Sequence, residues 1–340
     1  MKKILITGAG GYIGSIATYM LLARGCKVVG IDNFATGFKN PLQLLQKQFG
    51  KDQFRYYELD LKENISILFE KESRIGKPPF DGVIHYAASC LVDESMRIPQ
   101  KYFKNNVLGT LNLLENMSKC SIRNIVFSSS ASVYGQSQYV PIDESHPTIP
   151  INPYGESKLM SEKIITWYYR LFGIRYLIFR YFNVCGASDD GLIGDSKRPS
   201  TLLVQNAVRG ALGIEQFYLN CPKVNTPDNT PLRDYINVVD LNEAHIVGLD
   251  YLEKNGKSEI LNLGTGTGNS VLEVVRLVEN AAAKKISVKE TIPRIGDPER
   301  LISSIKKAGK ILDWKPKKTI KDSVNSLLKW YKKHPNGWKN

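Results

Sequence analysis

The first half of the chain alternates short apolar or aromatic runs with stretches of helical periodicity. Six runs of five to ten residues have the length and composition of buried strands. They are Lys3 to Thr7, Lys27 to Asp32, Phe54 to Glu58, Gly82 to Tyr86, Asn124 to Ser128 and Ile174 to Asn183. Helical patterns separate several of them, near residues 12 to 24, 99 to 120 and 154 to 172. Strands joined through helices predict a doubly wound α/β fold with a parallel sheet.

The second half is less regular. From Cys185 to about Asp234 it is rich in Gly, Pro, Asp and Asn, which predicts loops, and helical patterns follow at 240 to 254, 270 to 283 and 319 to 333. We therefore expect a sheet domain over residues 1 to 185 and a smaller C-terminal substrate-binding domain over 186 to 340. Residues of about 235 to 265 are expected to return to the sheet. The smaller domain should close over the carboxyl ends of the strands, where such sheets bind ligands.

A glycine-rich turn links the first strand to the first helix, in the order T-G-A-G-G-Y-I-G from Thr7. Gly8, Gly11 and Gly14 would let the backbone approach a pyrophosphate at the helix N-terminus. Asp32 ends the second strand, where a carboxylate accepts hydrogen bonds from a ribose and repels a 2'-phosphate. This arrangement predicts a Rossmann-type site for NAD rather than NADP.

Tyr154 and Lys158 are four residues apart, a spacing that puts both side chains on one helical face. The spacing alone is a weak signal, because a chain with 17 Tyr contains such pairs by chance. Its position after the fifth strand and after Ser130 favours chemistry. A phenol has a pKa of about 10, and a neighbouring ammonium favours the phenolate, so Tyr154 is a candidate base. Ser130 could share the substrate oxygen or cap the backbone.

Composition and charge bear on three further questions: whether the protein binds nucleic acid, whether it binds a metal, and where in the cell it is located. Of the formal charge of +13, a net +11 lies between Lys284 and Asn340. This excess fits a solvated lysine-rich surface or a field that attracts an anionic substrate, and no nucleic-acid-binding motif accompanies it. The five cysteines are scattered without metal-ligand spacing, so we expect reduced core thiols and no metal. Lacking a membrane-length apolar run, the chain is expected to be cytoplasmic.

Motifs along nearly the whole chain resemble the extended short-chain dehydrogenase/reductases and, within them, the UDP-glucose 4-epimerase family. Beyond the glycine turn, the resemblance is carried by D-N-F-A-T-G from Asp32, I-H-Y-A-A from Ile84, E-S-M-R-I-P from Glu94, K-N-N-V-L-G-T from Lys104, S-S-S-A-S-V-Y-G from Ser128, N-P-Y-G-E-S-K from Asn152, R-Y-F-N-V from Arg180, T-P-D-N-T-P-L-R-D-Y-I from Thr226, N-L-G-T-G from Asn262 and R-I-G-D-P from Arg294.

The resemblance implies a role for each matching residue. Ser130, Tyr154 and Lys158 would be catalytic. The residues implied to bind NAD are Gly8, Gly11, Tyr12, Ile13, Gly14, Asp32, Asn33, Asp60, Leu61, Tyr86, Ala87, Ala88, Asn106, Ser128, Tyr154, Lys158 and Tyr181. Those implied to bind the UDP-sugar are Ser130, Tyr154, Asn183, Leu202, Arg233, Arg294, Asp297 and Leu301. A homodimer through the helices at 99 to 120 and 154 to 172 is also implied.

The implied reaction inverts C4 of a UDP-hexose. Tyr154 would take the C4 hydroxyl proton while C4 gives hydride to NAD, and the 4-keto sugar would turn and receive the hydride on its other face. Leu301 stands where some relatives have a bulky Tyr, which suggests room for N-acetylated sugars.

Three alternatives stay open at this level. Another UDP-sugar, such as a UDP-glucuronate, could be the substrate of the same 4-epimerisation. A dehydratase would need an acid/base pair after Ser130 and a decarboxylase usually has Glu at position 132, whereas this chain has Ala131 and Ser132. A non-catalytic NAD-sensing protein of this fold would be expected to lack Tyr154 or Lys158.

Overall fold

The fold was analysed in a computed structural model that describes residues 1–198, 200–291 and 298–338. Its centre is a seven-stranded parallel sheet, which confirms the predicted Rossmann-type α/β class. The strands of this sheet are β1 (Lys3–Thr7), β2 (Lys27–Asp32), β3 (Phe54–Glu58), β4 (Gly82–His85), β5 (Asn124–Ser128), β6 (Arg175–Tyr181) and β11 (Glu259–Leu263). Their order in space is β11-β6-β5-β4-β1-β2-β3. The order reverses between β1 and β4, the point where doubly wound sheets open a crevice.

Helices cover both faces of the sheet and build the second half. In chain order they are α1 (Tyr12–Ala23), α2 (Lys39–Phe49), α3 (Ser66–Lys71), α4 (Val92–Ser95), α5 (Pro99–Tyr102), α6 (Gly109–Lys119), α7 (Pro153–Phe172), α8 (Leu203–Ala211), α9 (Val238–Glu253), α10 (Val271–Ala282), α11 (Lys306–Leu312) and α12 (Ile320–Lys333). A π-helical segment (Phe103–Leu108) joins α5 to α6, and a 3-10 turn (Ala131–Val133) follows β5.

Short strands outside the main sheet arrange the loops near its carboxyl edge. They are β7 (Asn183–Cys185), β8 (Phe217–Leu219), β9 (Leu232–Arg233), β10 (Tyr235–Asn237), β12 (Asn269–Ser270), β13 (Val288–Glu290) and β14 (Arg300–Leu301). Parallel pairing joins β7 to β10, β8 to β13 and β9 to β14, and β9 also pairs antiparallel with β12. These pairs bring segments far apart in sequence to one end of the sheet.

Three details differ from the sequence-based expectation. The sixth run is two strands, because the Phe182 N–H still bonds to the Leu263 carbonyl of the main sheet, whereas Asn183 pairs with β10. The helix expected at 99 to 120 contains the π-helical segment, where the Asn106 carbonyl accepts from the Thr110 and Ser161 hydroxyls. The loop expected from Cys185 to Asp234 contains α8 and β8.

Apolar packing divides the core into layers. One buried cluster lies between the sheet and α1, α2 and α9, and a second lies between the opposite face of the sheet and α3, α6 and α7. A third cluster joins α8, α10 and α12 and has Trp330 at its centre. Because β11 and α9 belong to the sheet layers although they follow α8, the chain crosses between the two halves. No helix among the described residues is long and apolar enough to cross a membrane.

Candidate functional site

A cleft of about 520 Å³ opens at the carboxyl edge of the sheet. It is bounded by the glycine turn, the ends of β2 and β6, the start of α7 and the loop before α8. Most of the residues singled out in the sequence line it. These are Gly8, Gly11, Tyr12, Ile13, Gly14, Asp32, Asn33, Asp60, Leu61, Tyr86, Ala87, Ala88, Ser130, Tyr154, Lys158, Tyr181, Asn183 and Leu202.

Four other candidates lie outside this lining. Asn106 is buried, where its amide bonds to the Ser89 backbone and to the Ser157 hydroxyl. The Ser128 hydroxyl bonds to a histidine ring 2.8 Å away. Arg233 lies on β9, and Leu301 on β14 packs against the small apolar cluster around Ala131. Arg294 and Asp297 fall outside the described residues.

The glycine turn is shaped by two close approaches of backbone. Gly8 has φ of +71°, and a Cβ on it would lie 2.7 Å from the Ala87 nitrogen. A Cβ on Gly14 would lie 2.1 Å from the Gly8 carbonyl oxygen, so helix and turn pack too closely for any side chain. The turn leaves the first N–H groups of the 12-residue helix α1 at the cleft wall. Such a helix start attracts phosphate.

Carboxylates mark the far end of this wall. Asp32 accepts hydrogen bonds from the Gly10 and Phe34 nitrogens at 2.9 and 2.8 Å, which hold its side chain at the turn. Burial nevertheless raises the pKa of the Asp32 carboxyl above its ordinary value. Asn33 donates to Asp60 at 3.0 Å, so two further polar side chains are fixed beside it. A glycine cradle with carboxylates at one end fits the pyrophosphate and adenosine ribose of NAD.

Tyr154 and Lys158 lie in the first turns of α7, which begins inside the protein. Asn152 caps this helix by accepting from the Gly155 nitrogen at 2.8 Å, and Pro153 occupies its first position. The Lys158 ammonium donates to the Ser128 carbonyl at 2.7 Å and lies 4.8 Å from the centre of the Phe127 ring. The helix is thereby tied to the end of β5.

The Tyr154 side chain lines the cleft together with Ser130. The Tyr102 ring packs edge-on against the Tyr154 ring, with centroids 6.3 Å apart. Both rings are buried and therefore have little rotational freedom. The serine, the tyrosine and the lysine singled out in the sequence therefore line the same cleft.

Burial favours the neutral form of both the Tyr154 phenol and the Lys158 amine. It raises the pKa of the Tyr154 phenol well above its ordinary value of 10 and lowers the pKa of Lys158 from 10.5 to about 8. The protein alone therefore does not turn Tyr154 into a base at neutral pH. Positive charge brought into the cleft by a ligand would favour the phenolate.

A buried histidine fixes the hydroxyl next to this site. Burial lowers the pKa of His245 to about 4, so its ring is neutral at pH 7. Its Nδ1 lies 2.8 Å from the Leu241 carbonyl, which requires a proton on that nitrogen. Its Nε2 then accepts from the Ser128 hydroxyl, which fixes the orientation of the Ser128 side chain.

Sequence reasoning missed one wall of the cleft. Lys197 and Trp338 line it, and the Trp338 nitrogen donates to the Ser196 hydroxyl at 2.9 Å. The contact joins residues 142 positions apart, and no local pattern signals it. Of the thiols expected in the core, only Cys185 is buried: Cys26, Cys120 and Cys221 are half-buried, and Cys90 is exposed in the cleft, with its sulfur 3.2 Å from the Lys197 ammonium.

Comparison with known proteins identifies the family. A 340-residue alignment with the UDP-glucose 4-epimerase of Streptococcus mutans has 40% identity and covers 98% of each chain. The chain belongs to the UDP-glucose 4-epimerase family. The family model described as GDP-mannose 4,6 dehydratase also matches residues 5–327, and both assignments lie within the extended short-chain dehydrogenase/reductases.

Solved structures of this family share the whole fold. The UDP-glucose 4-epimerase of Bifidobacterium longum, in complex with NAD+ and UDP, is 34% identical, with a TM-score of 0.91 over 99% of this chain and 100% of that chain. The UDP-Glc/GlcNAc 4-epimerase of Campylobacter jejuni is 35% identical, with a TM-score of 0.82 over 98% of this chain and 100% of that chain.

Lys158→Met should change how stability depends on pH in the NAD-free protein. In the folded state the pKa of Lys158 is about 8, against 10.5 ordinarily, so its charge costs the folded state about 3 kcal/mol below pH 8. That cost fades as pH rises from about 8 to 10.5. The free energy of unfolding of wild type relative to Lys158→Met should therefore increase by about 3 kcal/mol between pH 7 and pH 10.5.

Urea denaturation at a series of pH values measures this difference. The matched control is Lys163→Met, which changes an exposed lysine on the same helix and should give a difference that is nearly constant with pH. A constant difference for Lys158→Met as well would show that the ammonium is not buried as the structure has it.

Proposed function

We propose that this protein interconverts UDP-glucose and UDP-galactose by NAD-dependent oxidation and reduction at C4 of the sugar. The observation that carries the proposal is the group formed by Tyr154, Lys158 and Ser130 in the lining of the cleft that also holds the glycine turn. Full-length relatives with the same fold are UDP-glucose 4-epimerases, and one was solved with NAD+ and UDP.

The cleft supplies a seat for the cofactor. The N-terminus of α1 would face the pyrophosphate, and Asp32, Asn33 and Asp60 would bind the adenosine end. Bound NAD would supply the hydride acceptor and donor that oxidation at C4 requires. Asp32 is already held by two backbone N–H groups, so its carboxylate needs no reorientation to meet a ribose.

The proton is handled by the residues of α7 and of the serine turn. Tyr154 would remove the C4 hydroxyl proton, and Ser130 would hydrogen-bond the same oxygen. A phenol must be favoured by about 4 kcal/mol to act as a base near pH 7, and burial adds to this requirement. The Lys158 ammonium and the positive nicotinamide ring would supply the opposing charge.

The diphosphate end of the substrate would meet the second half of the chain. Asn183 and Leu202 line the cleft there, and Arg233 is our proposed diphosphate ligand. Asp234 holds the segment that carries Arg233, because its carboxylate accepts five hydrogen bonds from Thr265, Gly266 and Ser303. Arg294 and Asp297 are proposed from the sequence alone to complete this site.

The residues after Ser130 disfavour the dehydratase reaction. Elimination of water from the sugar needs a second acid and base near the substrate. Ala131 and Ser132 form the turn at that position, and the Ser132 nitrogen is held by the Ser130 hydroxyl oxygen. The set of groups present suffices for oxidation and re-reduction at a single carbon.

Purified protein should epimerise UDP-galactose to UDP-glucose without added cofactor, because NAD is regenerated in each cycle and would stay bound. The measurement is chromatography of the nucleotide sugars after incubation. UDP-N-acetylgalactosamine and UDP-glucuronate are tested in parallel, since Leu301 suggests room for an N-acetyl group. A 4-keto-6-deoxy sugar or UDP-xylose among the products would refute the epimerase proposal.

Tyr154→Phe should retain NAD and lose turnover by about three orders of magnitude, because it removes the acid/base hydroxyl and leaves the ring in place. Bound NAD is measured by absorbance after denaturation, and turnover by the same chromatographic assay. Tyr169→Phe is the matched control on the exposed side of α7 and should keep full activity. A near-normal rate for Tyr154→Phe would remove Tyr154 from the mechanism.

We also propose a homodimer through α7 and the helical segments at 99 to 119. Met160, Ile164, Trp167 and Leu171 are spaced three or four residues apart on α7 and form one apolar stripe. Trp167 and Leu171 are 55% and 67% exposed, which is unusual for such large apolar side chains in a monomer. A second copy of the stripe would cover it.

Trp167→Glu should convert the dimer to a monomer, because it places a charge in the proposed apolar interface. Sedimentation velocity at micromolar concentration measures the change. Tyr218→Glu, at a 53% exposed aromatic residue on β8, is the control and should leave the dimer intact. A wild-type protein that sediments as a monomer would contradict the proposal.

We infer a cytoplasmic location from the thiols and the proposed ligands. All five cysteines are free in the structure, as expected in a reducing compartment. The compartment that holds the enzyme would also have to contain the UDP-sugar and the NAD that the proposed reaction uses.

A further inference from the structure

A buried carboxylate lies on the catalytic helix one turn beyond Lys158. Glu162 is 2% exposed, and both of its oxygens are engaged. Oε1 accepts from the Ser129 hydroxyl at 2.5 Å and from the Arg180 Nε at 3.0 Å, and Oε2 accepts from the Arg180 Nη2 at 2.6 Å. Nothing in the proposed chemistry uses this pair directly.

Ser129 connects this carboxylate to the proposed catalytic groups. It lies between Ser128, whose carbonyl accepts from Lys158, and Ser130, which lines the cleft with Tyr154. The Ser129 nitrogen donates to the Phe179 carbonyl at 2.8 Å, so its backbone is also fixed. The contact between Ser129 and Glu162 is therefore a second tie between the serine turn and α7, beside the bond from Lys158 to the Ser128 carbonyl.

Arg180 extends the same connection toward the substrate half of the chain. Its guanidinium lies 5.0 Å from the centre of the Tyr134 ring, and the Tyr134 hydroxyl donates to the Asn262 side chain at 2.6 Å. Asn262 donates in turn to the Ile142 carbonyl at 3.0 Å. Ile142 pairs with the strand segment around Ser303, which binds the Asp234 carboxylate.

We propose that Glu162 and Arg180 are positioning residues that hold the serine turn in register with Tyr154 and Lys158. The inference rests on the proposed function, since it concerns the same acid/base group. A buried ion pair contributes little to stability compared with apolar residues of similar size, because the charges lose their hydration. Its geometric value is high, because bidentate guanidinium–carboxylate bonds fix both orientation and distance.

Ser129→Ala is the sharpest test, because it removes the tether and leaves the Glu162–Arg180 pair intact. We expect kcat to fall by about 10- to 100-fold while KM changes less than about twofold, since misplacing catalytic groups slows chemistry more than binding. Glu162→Gln should lower kcat at least as much. NAD content and thermal midpoint are measured on the same samples.

A second readout separates positioning from simple structural support. Tyr154 and Glu162 lie four residues before and after Lys158 on α7, and the other groups that act electrostatically with its ammonium are Cys90 and the His85 ring, whose pKa burial lowers to about 3. Burial lowers the pKa of Lys158, and Cys90 and then the Glu162 carboxylate act in the opposite direction, in favour of the charged ammonium. In Glu162→Gln the alkaline limb of the pH–kcat profile should therefore shift to lower pH, whereas Ser129→Ala should leave it unchanged.

Tyr57→Phe and Glu72→Gln are the matched controls. Glu72 is also buried, accepts from the Tyr57 hydroxyl at 2.5 Å and pairs with Lys3 at 2.8 Å, at the opposite edge of the sheet. These variants should destabilise the protein to a similar degree and keep the wild-type kcat and pH profile.

The proposal is overturned if Ser129→Ala keeps the wild-type kcat, or if the controls lose kcat as much as the test variants. The identity of the wild-type product, measured first, decides the proposed function separately. The ratio of variant to wild-type kcat is then taken on whichever UDP-sugar reaction the wild type performs.

Discussion

The bond from the Lys158 ammonium to the Ser128 carbonyl is the contact on which the site depends. It joins the first turns of α7 to the end of β5 at 2.7 Å, inside the protein and away from water. Burying the charge lowers the pKa of Lys158 to about 8, so the lysine remains largely protonated at pH 7 but is held there at a cost. A negative charge that forms beside this ammonium, such as that of the Tyr154 phenolate, would offset part of the free energy lost when the ammonium is buried.

The residues that surround this bond are polar although they are buried, and each of them has a hydrogen-bond partner. Three serine hydroxyls lie beside this carbonyl, and each has a different partner: the Ser128 hydroxyl bonds to the His245 ring, the Ser129 hydroxyl donates to Glu162, and the Ser130 hydroxyl accepts from the Ser132 nitrogen. Such networks favour one arrangement of the backbone over others, because each unpaired member would lose hydration without compensation. The start of α7 and the serine turn therefore behave as one rigid unit.

Sequence alone predicted the parts of this protein that local spacing determines. The parallel strands, the glycine turn and the Tyr154–Lys158 pair follow from periodicity and from the requirements of a βα turn. Helix α8 was missed although Val204, Ala207, Val208 and Ala211 have helical spacing, because the Gly and Pro content of its surroundings suggested loops. The Trp338 wall and the Ser129–Glu162 tether depend on contacts 142 and 33 residues apart, and no pattern in the chain signals them.

A reaction that starts and ends at one carbon needs only one acid/base group at that carbon. The proton that Tyr154 removes would return to the same oxygen, so a single acid/base group serves both directions, and a second pair would add only side reactions. Ala131 and Ser132 fit this requirement, since neither adds an ionisable side chain directly after Ser130. The remaining requirement is that the sugar present either face to the cofactor. That turn would be possible if Tyr154 stays fixed and Arg233 binds only the diphosphate. The sugar would then be free to rotate about its linkage to the diphosphate.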